Sequence, residues 1–163
     1  MINAWLYWID HTSVGTTIRQ STWLFPLIET FHLFGIVSLV ASTSILDLRL
    51  LGTGPMRHWP VSKLTRRLLP WAWSGFAIQL VTGLLMTSSE AVKNYHNPAF
   101  RLKMLLLLLA AFNFWLFHAT FYKRVAEWDN HRLSPLPARL AGIFSILLWF
   151  GIVAAGRYIA FFS

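Results

Sequence analysis

Four long apolar stretches separated by short polar loops dominate the chain, at about 23–45, 69–87, 102–122 and 140–162. Each comes close to the roughly 20 residues that a helix needs to cross hydrocarbon. No water there can satisfy free backbone groups, so a crossing segment must bond its own N–H and C=O groups as a helix does. The pattern predicts an all-α fold: an integral membrane four-helix bundle forming a single membrane domain over 1–163. The short aromatic run Ala4–Ile9, cut off by Asp10 and His11, reads as an N-terminal interfacial helix lying on the membrane surface. It lacks the basic start of a signal peptide. Pro70 and Pro137 are expected to open the second and fourth helices, Pro98 to precede the third, and Pro26 to lie in the first turn of the first.

Composition agrees with the pattern. The chain is 56% hydrophobic and 12% charged, with a mean hydropathy of +0.53, whereas soluble domains carry about 25% charged residues. A net charge of +8 would suggest nucleic acid in a soluble protein. In this chain it is assigned to loops against anionic lipid headgroups, so membrane lipid is the expected partner and nucleic acid is not. The absence of cysteine excludes disulfides, iron–sulfur clusters and thiolate zinc sites.

Lys and Arg counts set the expected orientation. The loops after the first and third spans hold Arg49, Arg57, Lys63, Arg66, Arg67, Lys123, Arg124, Arg132 and Arg139; the other face holds Arg19, Lys93, Arg101, Lys103 and Arg157. Nine against five puts the first group in the cytoplasm and both termini in the periplasm of a bacterial inner membrane. Gly35, Ser38, Ser42, Gly75, Thr82, Gly83, Ala110, Ala111, Gly142, Ser145 and Gly156 are expected at close helix contacts. Trp23, Trp71, Trp73, Tyr122 and Tyr158 are expected in aromatic belts near span ends.

Ionisable groups inside spans are costly and mark function. Glu29 and His32, three residues apart, share a face of the first span, which ends in Asp47-Leu48-Arg49. The last pair is expected to form a local ion pair. Lys103 and His118 lie in the third span and Arg157 in the fourth; the second span offers Gln79 and a terminal Ser88-Ser89-Glu90. Glu-x-x-His is half of a di-iron motif, but the second half is missing from the spans. A buried imidazole is a natural axial ligand of haem iron, so His32 and His118 are the candidate metal ligands. In parallel helices with the bounds above, their depths differ by roughly 10 Å, awkward for one bis-histidine haem. Lys103 and Arg157, with Arg101, are candidates for haem propionates or a quinone, and Glu29 stands beside His32. Lys103 has Glu29 and Glu90 as alternative partners. His11, His58 and His131 read as solvated loop residues. Met86 and Met104 are the thin basis for a copper site.

Phe25-Pro26-Leu27-Ile28-Glu29-Thr30-Phe31-His32-Leu33-Phe34-Gly35, Leu46-Asp47-Leu48-Arg49-Leu50-Leu51-Gly52, Asn97-Pro98-Ala99-Phe100-Arg101-Leu102-Lys103 and Gly156-Arg157-Tyr158-Ile159-Ala160 together resemble an uncharacterised family of four-helix bacterial inner-membrane proteins. That resemblance implies the fold and no activity. More distantly, His32, Arg49 and Lys103 resemble positions of the haem-binding four-helix membrane protoporphyrinogen oxidase and of the copper-resistance D family. The expectation is a b-type cytochrome subunit that holds haem b and moves electrons between a larger membrane or periplasmic redox partner and quinone. Its alternatives are a haem- or quinone-dependent oxidase, a copper or small-solute transporter, and a non-catalytic anchor for a periplasmic partner.

Overall fold

A computed structural model describes residues 6–9, 11–129, 131 and 133–162. Ala4 and Trp5 of the expected interfacial helix, together with Asp10 and Arg132, lie outside the described residues. After a helical turn at 6–9 come α1 (Ser13–Gln20), α2 (Leu24–Leu50), α3 (Val61–Ser89), α4 (Ala91–His96) and α5 (Pro98–Leu116). The last runs on through a π-helical turn, Phe117–Phe121, a 3₁₀ turn, Tyr122–Arg124, and α6 (Val125–Trp128). Then α7 (Leu136–Tyr158) ends in a 3₁₀ turn, Ile159–Phe162. Four segments are long and apolar enough to cross a membrane: α2, α3, Pro98–Trp128 and Leu136–Phe161.

All four are longer than expected from hydropathy. Their polar ends are helical as well, because charged groups in terminal turns reach the headgroups or bond to neighbouring elements. The largest change is in α3, which starts eight residues early, at Val61. Pro70 therefore lies inside a helix rather than at its start. Its missing N–H frees the Arg66 carbonyl close to the helix end, where water and headgroups can reach it. Trp71 and Trp73 lie ten and twelve residues past the start of α3. Pro98 and Pro137 do occupy first-turn positions. At the end of α2, Gly52 adopts φ 74°, a left-handed turn that lets the N–H groups of Gly52 and Thr53 bond to the carbonyls of Arg49 and Leu48, both at 3.0 Å.

Two helix contacts set the packing. Gly35 of α2 and Gly75 of α3 meet backbone to backbone: a Cβ on Gly75 would stand 2.7 Å from Leu39 N and 2.9 Å from Gly35 O. Further along, Gly142 of α7 lies against the Asp47 carbonyl of α2, 3.2 Å from where its Cβ would be. α5 leans on α7 through Leu106 beside Gly151 and through Asn113, whose Nδ2 donates to the Ala141 carbonyl at 3.0 Å. It reaches α3 through an edge contact of Trp73 with Phe114. Ala111, expected at a contact, is exposed. Large apolar side chains point outward on every long helix, with Phe34, Leu84, Leu108 and Phe150 all more than 60% exposed, which is the surface lipid requires.

The two ends of the bundle are closed differently. At one, α1 packs on the end of α3: Gly15 abuts the Ser88 carbonyl and Arg19 Nη1 donates to the Ser89 carbonyl at 2.8 Å. The sequence reading missed this helix because Thr, Ser and Gln make it too polar for a span. At the other end Arg49 is 2% exposed. The expected Asp47–Arg49 ion pair does not form. Arg49 gives Nε to the Trp59 carbonyl and Nη2 to the carbonyls of Asp129 and His131, tying two loops to the end of α2. Asp129 in turn accepts from Ser62 N at 2.8 Å and from the Ser62 hydroxyl, capping α3. Leu50, Val61, Phe117, Trp128 and Ala138 form the apolar cluster beside this knot.

Gly75→Ala is expected to destabilise the bundle by about 1–3 kcal/mol, since its Cβ meets backbone that cannot rotate away. Gly83→Ala, whose Cβ would come no closer than 3.5 Å to the His32 ring, should cost much less. Reversible unfolding in mixed micelles compares the two variants.

Candidate functional site

His32 lies two turns into α2, on the side that meets α3. Its Nδ1 is 2.8 Å from Thr82 Oγ1, and Thr82 Oγ1 is 2.6 Å from the Ile78 carbonyl. A hydroxyl has one hydrogen and a carbonyl has none. The Thr82 hydrogen therefore goes to Ile78, and at the first contact the imidazole must be the donor. This fixes the tautomer: Nδ1 carries the proton and Nε2 carries the lone pair. Gln79 Nε2 donates to the His32 main-chain carbonyl at 2.7 Å, pinning the same residue from the backbone side.

The remaining groups around His32 come from α5 and α7. Lys103 is at the same end of the bundle, its Nζ 3.6 Å from where a Gly156 Cβ would stand. Small residues thus make room beside both side chains, Gly83 next to the imidazole and Gly156 next to the ammonium. Among the described residues, no carboxylate pairs with Lys103. Of its expected partners, Glu90 is 3.7 Å from Lys93 and Glu29 is exposed. Arg101 and Arg157 belong to the same end of the bundle and are exposed. Asn97 joins α5 to α7 there: its Oδ1 accepts from Ala99 N and Phe100 N, and its Nδ2 donates to the Ile159 carbonyl at 3.0 Å. Asn97 is 3% exposed, so this lock sits in the interior and fixes the register that brings Lys103 to His32.

His118 belongs elsewhere. His32 is eight residues past the start of α2, whereas His118 is twenty past the start of α5. At ~1.5 Å per residue that places them roughly 18 Å apart in depth, nearly twice the separation expected from the shorter spans. One iron cannot take both. His118 sits in the π-helical turn, its ring between those of Phe114 and Tyr122, with centroids at 4.1 and 5.1 Å. Its Nδ1 donates to the Phe114 carbonyl at 3.0 Å, giving the same tautomer as His32. The difference is access. His118 Nε2 is sealed inside the protein without a partner, while His32 Nε2 is neither bonded within the described residues nor sealed. Among the described residues, no three His, Asp or Glu side chains gather as a metal site.

Among the described residues, the arrangement therefore offers one open imidazole lone pair and, at the same end of the bundle, one unpaired ammonium. Thr82 and Gln79 are the functional neighbours that the sequence reading passed over, noting the first as a small residue and the second as a lone polar group. Their three-residue spacing on one face of an apolar span was the available signal. Of the three positions behind the remoter likeness, His32 and Lys103 belong to the same end of the bundle, while Arg49 serves the opposite end.

Residues 6–162 match the Family of unknown function (DUF6644), and the chain belongs to that family. The match links it to neither a haem nor a copper family. No curated protein matches the chain, and no solved structure matches it.

The donor assignment at His32 is directly measurable. In ¹⁵N-histidine spectra, the His32 ring should hold its proton on Nδ1 by about fivefold over the other tautomer, the preference given by one net hydrogen bond of about 1 kcal/mol. Thr82→Val removes the acceptor and should bring the two tautomers toward equal populations.

Proposed function

Since family membership brings no activity with it, we propose from the residues themselves that this protein is a b-type haem-binding membrane subunit. In this reading it passes electrons between a partner protein and the quinone pool. The observation that carries the reading is the hydrogen-bond chain from His32 Nδ1 through Thr82 to the Ile78 carbonyl. A metal-ligating histidine donates its far ring N–H to an oxygen acceptor, which orients the ring and raises the basicity of the ligating nitrogen. His32 has that arrangement through Thr82 and Ile78, with Nε2 left over for iron. Bound haem supplies one-electron chemistry in a low-dielectric setting.

The residues fit such a group in charge as well as in ligand type. Lys103 is at the same end of the bundle as His32, without a carboxylate partner among the described residues, and Arg101 and Arg157 are there too. Propionates are carboxylates, and charge-assisted contacts with Lys and Arg hold them well. His118, sealed at Nε2, is left out of the ligand set in this reading. By the excess of Lys and Arg in the loops around Arg49, that end faces the cytoplasm and the His32 end faces the periplasm of an inner membrane. The redox partner then approaches from the periplasmic side.

Protein purified from membranes with an ample haem supply should show a Soret band and, on dithionite reduction, a sharp α band. His32→Ala should abolish both, and His118→Ala should keep them. Thr82→Val should weaken haem affinity about 10- to 100-fold, the usual effect of losing an outer-shell partner. A colourless wild-type protein, or full haem retained by His32→Ala, overturns the reading.

A further inference from the structure

The Arg49 end of the bundle carries a second chemical feature, unrelated to the imidazole site. Ser62, Lys63, Arg66 and Arg67 line a cleft of about 300 Å³. These residues occupy the first two turns of α3, just before the apolar run that enters hydrocarbon, so the cleft opens at headgroup depth. Lys63, Arg66 and Arg67 follow an i, i+3, i+4 spacing and share one helix face. Like charges so placed repel one another and splay apart unless something holds them.

Trp59 holds two of them. Lys63 Nζ and the Arg67 guanidinium each sit 5.1 Å from the centroid of its ring, within the range of a cation–π contact. Trp59 is itself fixed, because its carbonyl accepts from the buried Arg49. Ser62 is fixed by Asp129, whose two carboxylate oxygens are taken by the Ser62 N–H and hydroxyl. Asp129 is thus committed to capping the helix. Among the described residues, no carboxylate pairs with Lys63, Arg66 or Arg67.

We infer that this cleft binds the phosphate diester of an anionic phospholipid headgroup. Three cations gathered on a rigid support, unneutralised by the protein, require an anion. Their position at the entry of α3 into the bilayer makes the lipid phosphate the one always within reach. Arg supplies a planar fork for phosphate oxygens and Lys a point charge. Arg49 acts as a positioning residue, through the backbone of Trp59. The inference stands whether or not the chain binds haem.

The full-length protein in mixed vesicles or nanodiscs containing phosphatidylglycerol and phosphatidylcholine provides the test, with retained lipid counted by native mass spectrometry. Wild-type protein should keep phosphatidylglycerol in preference to phosphatidylcholine. Each of Lys63→Gln, Arg66→Gln and Arg67→Gln should lower that preference about fivefold. Trp59→Leu, which keeps every charge, should also lower it. Lys123→Gln/Arg124→Gln, a basic pair outside the cleft, should leave it unchanged. Equal losses from both sets of variants, or no preference in the wild type, overturn the site. If inorganic phosphate displaces the lipid and binds lipid-free protein in a manner sensitive to Arg66→Gln, the ligand is free phosphate and the lipid assignment falls. Arg66→Gln replaces an exposed side chain, so it keeps the experiment readable even if the Trp59 variant folds poorly.

Discussion

A polar group taken into hydrocarbon must find its partner inside the protein, and this constraint shapes the bundle more than any apolar contact does. Lipid tails are as apolar as Leu, so Leu and Phe have no preference for the interior. What joins the helices is backbone proximity at Gly35, Gly75 and Gly142, and polar side chains that cross from one helix to the next. Thr82 meets His32, Gln79 meets the His32 carbonyl, Asn113 meets the Ala141 carbonyl and Asn97 meets the Ile159 carbonyl. Each crossing fixes one register between two elements. Together they determine which residues can face each other, including His32 and Lys103.

That same constraint explains what the sequence revealed and what it hid. The four spans were legible because a run of about 20 apolar residues has few other uses. His32 and Lys103 were legible as outliers in such runs. The helix bounds were not, because hydropathy stops at the first charge whereas a helix continues wherever charges have partners: Arg49 is buried in the last turn of α2, and Lys63, Arg66 and Arg67 lie in the first turns of α3. The depth of His118 was misjudged for the same reason. Asp47 and Arg49 illustrate a different limit. Two residues apart on a helix they point in different directions, and nothing local announces that Arg49 will reach carbonyls 10, 80 and 82 residues away. The partners of His32 were hidden likewise, 47 and 50 residues along the chain.

The bundle's two ends divide the work accordingly. Around His32 the described residues leave two polar groups without a partner, the Nε2 lone pair and the Lys103 ammonium, each with a glycine beside it. Around Arg49 the backbone carbonyls of three loop residues converge on one guanidinium, and the basic residues in front of it gather on Trp59. Arg49 thus does structurally what an interhelical loop too short to fold alone cannot do, and its fixed charge also balances Asp129 nearby.

The sealed, unpartnered atoms sharpen this division. Asp47 Oδ2, Arg49 Nη1, Thr65 Oγ1, His118 Nε2, Ser134 Oγ and Arg139 Nε all belong to the Arg49 half of the bundle. They lie around the Arg49 knot and the Leu50–Val61–Phe117–Trp128–Ala138 cluster. In the His32 half the free ring nitrogen is open. An open lone pair can be satisfied by whatever enters; a sealed one can be satisfied only if the helices move. The two rings have the same tautomer and both lie inside spans, yet only the His32 Nε2 is open to an incoming group. In this bundle access to the nitrogen, rather than the identity of the residue, distinguishes His32 from His118.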